Sequence, residues 1–253
     1  MFGIYDINTN SSLTYKERLD IYREVGFEEL AIYLDCEYQT NNEKYLDIIN
    51  YAKSIGLNIK QVHLDWKISN LICDSSTDTY FDYIYSKLLE ANNLGIKYVV
   101  AHASQSDTPP IISNIQLDKF KDMMTKFSGR DLILCIENVR NNDNLDKILE
   151  LNLDNVKVCF DLGHAHCYGN EKELFEKYKD HIICSHLHNN YGKDTHEILT
   201  QGEIDYKYFL DKLSNIENSS NCLECFPPRD KNLTKDEFKI FIEECYNSVK
   251  QKA

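Results

Sequence analysis

Acids and imidazoles stand out in this chain because they end short apolar runs, where a charged or polar group is costly to bury alone. The runs are Gln61-Val-His63-Leu-Asp65-Trp66, Val99-Val-Ala-His102, Cys135-Ile-Glu137-Asn138, Cys159-Phe-Asp161-Leu-Gly-His164, Cys184-Ser-His186-Leu-His188 and Cys222-Leu-Glu224. Taken singly, His63 or His102 reads equally well as a hydrogen-bonded core residue. Three carboxylates and several histidines meeting at one place would repel or stay unsatisfied, and a divalent cation satisfies several of them at once. A metal site is therefore expected. Beyond the His186 run, a long loop carries Asp194-Thr-His196, which can add ligands or hold substrate hydroxyls. His188 shares a face with His186 but lies further out, so it reads as a support for ligands; His181 precedes its run and reads as surface.

Neighbouring residues add detail. Cys135, Cys159, Cys184 and Cys222 each lie two residues before a candidate ligand, so a strand turns them the same way, as a layer of packed thiols beneath the site. Cys222-Leu-Glu-Cys225 has redox spacing, but it falls on a strand that sends the two thiols to opposite faces. Trp66, the only tryptophan, stands beside His63 as an apolar surface for a ligand or as a core aromatic over the barrel mouth. Arg140, Lys193 and Arg229 follow three of the runs and are candidates for holding a phosphate or carboxylate.

What must position these side chains is a repeating unit. Eight β-branched or aromatic runs, 1–6, 29–35, 59–65, 97–103, 132–139, 156–162, 182–188 and 221–226, alternate with stretches long enough for crossover helices. Gly26, Gly56 and Gly95 close helices before strands, Thr14-x-x-Glu17 and Thr234-x-x-Glu237 read as capping boxes, and Asp205 reads as the cap of a helix after the long loop. Eight such units in 253 residues predict an α/β fold, a (β/α)8 TIM barrel forming one domain over 1–253, with its chemistry at the C-terminal ends of the strands. No Gly-rich phosphate turn supports a doubly wound sheet.

Composition narrows the partners. A formal charge of -13 disfavours nucleic acid, and no apolar stretch approaches the roughly 18 residues of a membrane span. Nine scattered cysteines, an odd number, read as reduced thiols, so a cytoplasmic protein is expected. Homo-oligomer formation is left open.

The rim glutamate, the Asp-x-x-His of 161–164, His186 and the final Glu224 together resemble the xylose isomerase-like barrels, which include sugar phosphate isomerases and epimerases and endonuclease IV. The resemblance covers nearly the whole chain. In the isomerase and epimerase branch it implies that Glu137, Asp161, His186 and Glu224 hold one divalent ion, manganese, magnesium or cobalt. Glu137 and Glu224 would then remove and return a proton on opposite faces of a sugar or sugar phosphate through a metal-stabilised enediolate. Endonuclease IV uses a longer set for three zinc ions, and all nine matching positions are filled here: His63, His102, Glu137, Asp161, His164, His186, Asp194, His196 and Glu224. This implies an alternative, a multi-zinc phosphodiesterase cutting at abasic sites; a sugar-binding barrel without turnover is a third reading. Tagatose-epimerase barrels carry an arginine soon after the histidine matching His186, where this chain offers Lys193, so the particular sugar stays open.

Overall fold

Each apolar run pairs with the runs before and after it in the chain, and the last pairs with the first. In order, the computed structural model has β1 (Phe2–Tyr5), α1 (Tyr15–Val25), β2 (Glu29–Tyr33), α2 (Tyr45–Ser54), β3 (Asn58–His63), a 3₁₀ segment (Trp66–Cys73), α3 (Thr77–Leu94) and β4 (Tyr98–His102). There follow α4 (Asn114–Thr125), β5 (Ile133–Glu137), α5 (Asp143–Leu149), β6 (Val156–Asp161), α6 (Leu162–Tyr168), α7 (Glu171–Tyr178), β7 (Ile182–Leu187), α8 (Tyr206–Ser214), β8 (Ser220–Leu223) and α9 (Lys235–Lys250). The structure describes residues 2–7, 12–34, 43–73, 77–228 and 230–250. All eight strands are parallel and close into one barrel, so the fold is a single-domain (β/α)8 TIM barrel. No helix among the described residues is long and apolar enough to cross a membrane.

Local signals account for the joints. Gly26 takes φ 114° and closes α1, its N–H returning to Tyr22 O. No L side chain adopts that geometry without strain. Thr14 caps α1 in a full capping box with Glu17, and Thr234 and Glu237 exchange the same bonds ahead of α9. Asp205 occupies the N-cap of α8 without a side-chain bond. The expected cap is thus absent; the helix start is instead tied by Tyr206 N to Ile204 O. The last strand is shorter than its apolar run. It ends at Leu223, and the chain then turns so that Phe226 N bonds His196 O, while Pro227 and Pro228 have no N–H to continue a ladder. Of the other expected strand ends, residues 1 and 35 lie outside the described residues.

Apolar side chains from the outer faces of the strands, among them Ile32, Val99, Leu134, Val158 and Leu223, pack against the helices. The barrel interior is layered. Tyr98, Val100, Cys135, Cys159 and Cys184 form one layer, with Cys135 Sγ 3.5 Å from Cys184 Sγ. Burial pushes the Cys159 and Cys184 thiols up, so they stay neutral and pack as small hydrophobes. Cys222 does not join that layer. It packs with Tyr5, Ala31 and Tyr33, because β1 and β2 fill its side of the barrel with tyrosines. Cys225 belongs to the outer core, on the other side of the sheet from Cys222.

Candidate active site

Strand register brings the polar residues to one level. His102 pairs with Glu137, Asp161 with His186 and Tyr33 with His63, each at the C-terminal end of its strand. Glu224 follows β8, its N–H bonded to Leu187 O. Asp161 does double duty, ending β6 and capping α6, whose His164 N–H donates to its Oδ1 at 2.6 Å. The loop after β7 is held by Asn189, which pairs with Glu197 through both backbone groups and donates to Leu199 O at 2.7 Å. Asn190 ties the same loop to Gly163 O. This anchoring holds Asp194 over the rim and fixes His196 at φ 56°, a left-handed conformation that a non-glycine residue pays about 1–2 kcal/mol to adopt.

At the centre, His186 Nδ1 lies 3.2 Å from Glu137 Oε2, 3.2 Å from Glu224 Oε2 and 3.7 Å from Asp161 Oδ2. His186 and Asp161 are fully buried, yet His186 Nδ1 and Asp161 Oδ2 have no hydrogen-bond partner. Two ligands about 2.1 Å from one ion stand about 3–3.5 Å apart, so this spacing fits a shared cation. The charge argument agrees. Among the described residues no lysine or arginine touches Glu137, Asp161 or Glu224; histidines do. The donor set of three carboxylates and one imidazole suits a divalent ion with a preference for oxygen. Cys159 Sγ lies within 4.8 Å of the Glu137 and His186 ligand atoms and forms the floor.

Two further groups flank the centre. His63 Nε2 and His102 Nε2 lie 3.0 Å and 3.2 Å from Glu137 Oε2. His164 Nε2 lies 3.4 Å from Asp194 Oδ2, and His196 Nε2 lies 3.2 Å from Asp194 Oδ1. In three of them Nδ1 faces an acceptor outside the site, Leu64 O for His63, the Gln105 amide oxygen for His102 and Glu224 O for His196, whereas His164 Nδ1 lies 3.1 Å from both Asn138 O and Glu137 Oε1. A ring that donates from Nδ1 presents its Nε2 lone pair to the site, which is the tautomer a metal ligand needs.

Without an ion, these groups hold one another's protons. Burial alone would raise Glu137, but His186 and His102 pull it well below the usual carboxylate range, and Glu224 is lowered by His186 and His196 against the same burial effect. Burial would lower His186, yet Cys159, Tyr5, Glu137 and Glu224 around it raise it well above the usual imidazole value. His164 is likewise raised, by Asp161, Asp194 and Glu137, in spite of its burial.

Above the rim lies an open cleft of about 180 Å³ whose lining includes His63, His102, His164, His196, Glu137, Glu224 and Asp194. Trp66, half-buried at the start of the 3₁₀ segment, lines it together with Tyr33, Tyr168 and Phe226. Arg140 reaches it from beyond β5, its guanidinium over the Tyr168 ring at 5.1 Å and 3.5 Å from Asp107. Lys193, which follows Gly192 at φ 75°, is exposed and does not line the cleft. Arg229 lies outside the described residues. His181 is half-buried at the start of β7, at the opposite end of the strand from the site.

Several site residues carry no charge signal in the sequence. Tyr33 donates its hydroxyl to Glu224 Oε1. Tyr5 and Gln61 meet Nε2 of His186, at 3.0 Å and 2.7 Å, from β1 and β3. Asn138 donates to Asp161 O and accepts from Asp161 N, locking the end of β5 to β6. Their inward direction follows from period-two counting: Gln61 lies two before His63, and Tyr33 pairs with His63.

A family model described as xylose isomerase-like TIM barrel matches residues 19–245, and the chain belongs to that family. A solved D-tagatose 3-epimerase-like protein superposes with a TM-score of 0.69 at 20% identity, over 99% of this chain and 98% of its own. A D-psicose 3-epimerase with D-tagatose, from Clostridium cellulolyticum H10, gives 0.71 at 13% identity, over 99% and 97%. These likenesses show the shared fold. In sequence, the chain is 30% identical over 113 residues to the uncharacterized protein MJ1311 of Methanocaldococcus jannaschii, covering 43% of this chain and 39% of that one.

Proposed function

We propose that this chain is a divalent-metal-dependent isomerase or epimerase of a sugar or sugar phosphate. The observation that carries the reading is the pair of buried, partnerless atoms, His186 Nδ1 and Asp161 Oδ2, inside a ring completed by Glu137 and Glu224 at the floor of an aromatic-walled cleft. Bound there, a cation supplies Lewis acidity that stabilises negative charge on adjacent sugar oxygens as a neighbouring C–H is deprotonated. Asp161 and His186 hold it. Glu137 and Glu224 rise from strands three apart and both line the cleft, so one removes a proton from one face of the sugar and the other, carrying a proton, returns it to the opposite face. Tyr33, donating to Oε1 of Glu224, orients that carboxylate. Trp66, Tyr168 and Phe226 cover apolar sugar faces and restrict water. Epimerases of ketoses among the structural neighbours support the same substrate class.

The test is solvent-deuterium incorporation into a panel of ketoses and their phosphates. Wild-type protein with manganese, magnesium or cobalt is expected to exchange at least one of them, and Glu224→Gln to lower that rate about 10²–10⁴-fold with its melting curve preserved. Absence of exchange with every sugar, or full activity in the variant, overturns the reading.

Phosphodiester hydrolysis is the second reading. It is favoured by the flanking groups, since neighbouring cations stabilise both attacking and leaving oxygens in an in-line displacement. Charge weighs against it. Arg140 is the one arginine or lysine among the described residues lining the cleft, and the chain carries -13. Cleavage of an abasic-site duplex without sugar exchange would select this alternative.

A further inference from the structure

His186 is held differently from the histidines around it. His63 and His196 turn Nδ1 to backbone carbonyls, Leu64 O and Glu224 O, which can only accept, so their tautomers are fixed. His186 has Nδ1 toward the rim carboxylates, and its Nε2 points back into the barrel, where it meets the Gln61 amide nitrogen at 2.7 Å and the Tyr5 hydroxyl at 3.0 Å. Gln61 and Tyr5 are themselves 2.6 Å apart. A hydroxyl and an amide can each donate or accept, so the end that the amide presents decides which ring nitrogen carries the proton. Gln61 is fully buried, and its Oε1 has no hydrogen-bond partner.

The strand is shaped to bring this amide inward. Leu30 pairs with Ile59 and Ala31 with Gln61, a bulge in β3 that skips Lys60. Ile59 therefore stays in the outer core while Gln61 faces the barrel axis beside Tyr98, although strict alternation would put both on one face. With its nitrogen toward Nε2, Gln61 donates to that atom, and the ring must then carry its proton on Nδ1, where a cation would bind. Turned about, the amide fills the same volume with its ends exchanged. Its oxygen, otherwise orphaned, then accepts from both the Nε2–H and the Tyr5 hydroxyl, and Nδ1 keeps a bare lone pair. We infer that Gln61 is a positioning residue for the rim cation: its amide oxygen accepts the Nε2 proton of His186 and so reserves Nδ1 for the ion. The inference rests on the reading of the rim as a cation site, whichever substrate is turned over there.

The experiment uses the full chain, freed of metal with chelator, with manganese or zinc alone as probe. The equivalent that disappears in Asp161→Asn marks the rim centre. Gln61→Met, which keeps the side-chain length and removes both polar ends, is expected to weaken manganese binding there about 10–100-fold, whereas Gln61→Glu, whose carboxylate accepts, should bind within about threefold of wild type or tighter. A role in packing alone predicts the reverse order, since methionine suits a buried position and an added carboxylate does not. Circular dichroism checks folding. Should the variants fail to fold, neutron diffraction from zinc-loaded wild-type crystals decides by itself, with the Gln61 oxygen expected to face a deuterated Nε2 of His186. Unchanged affinity in Gln61→Met, affinity in Gln61→Glu as weak as in Gln61→Met, or an amide nitrogen facing Nε2 in the loaded crystal overturns the inference and leaves the proposed sugar chemistry standing. A wild type that takes up no cation at the rim overturns both.

Discussion

Two groups of buried carboxylates lie in this barrel, and they are balanced differently. On α1, the fully buried Arg18 donates to both oxygens of Asp6, at 2.8 Å and 2.9 Å, to Glu43 Oε2 at 2.9 Å and to Leu13 O, while Tyr22 donates to Asp6. The chain supplies the cation itself, and the guanidinium fork meets the carboxylate through two parallel bonds. At the rim, Glu137, Asp161 and Glu224 face imidazoles, and atoms at the centre remain unpaired. Arg18 ties Asp6, Leu13 and Glu43 to α1; the rim is built to receive something. Equal burial therefore carries opposite meanings, and what separates them is whether hydrogen-bonding capacity is complete.

The largest expected effect breaks the first group. Arg18→Met leaves Asp6 and Glu43 buried without their cation and should lower unfolding free energy by about 3–5 kcal/mol, read as a shift in the denaturant midpoint. A midpoint within error of wild type would show that water reaches these carboxylates.

Metal removal tests the second group. With free cation about 1,000-fold above its Kd, binding stabilises the fold by about 4 kcal/mol, so chelation should lower the melting temperature by the corresponding amount. This dependence has a sign in pH. His164 and His186 are raised in the metal-free fold, so the stability their protons contribute is fully present below the ordinary imidazole value and is lost as pH rises through the raised ones. A cation has to displace those protons. Uptake should strengthen as pH rises from the ordinary imidazole value through the raised ones, with proton release, measurable by calorimetry in buffers of different ionisation enthalpy. Uptake independent of pH and buffer would contradict the assignment of these histidines.

Asp161→Asn is the smallest and sharpest case. Asparagine keeps an oxygen for His164 N–H and removes one of three crowded carboxylate charges, so metal-free stability should change by less than about 1 kcal/mol while uptake at the centre is lost. A loss of several kcal/mol without metal would make the rim resemble the Arg18 group and would count against a cation site.

Much of this was legible because charge inside an apolar run is conspicuous. Glu137, Asp161, His186 and Glu224 announce themselves that way, and Gly26 marks a joint because only a left-handed residue closes that turn. Tyr5, Tyr33 and Gln61 do not, since tyrosine is an ordinary strand former and an uncharged amide carries no charge signal. Arg18 was hidden for another reason. On α1 it reads as a solvated helix charge, and nothing local reveals that Asp6 and Glu43 wait across 12 and 25 residues. The thiol layer was readable by parity on β5, β6 and β7, but Cys222 joined the tyrosines of β1 and β2, whose side-chain volume parity does not count.

The junction of β6 and α6 limits how this protein can be remodelled. Asp161 ends the strand and Leu162 begins the helix, with no spacer between them. A single inserted residue there would rotate Asp161 or His164 away, since a strand alternates faces and a helix advances a fraction of a turn per residue. Grafting aimed at a new substrate is better directed to the connection at 103–113, which borders the cleft through Gln105 and Ser106.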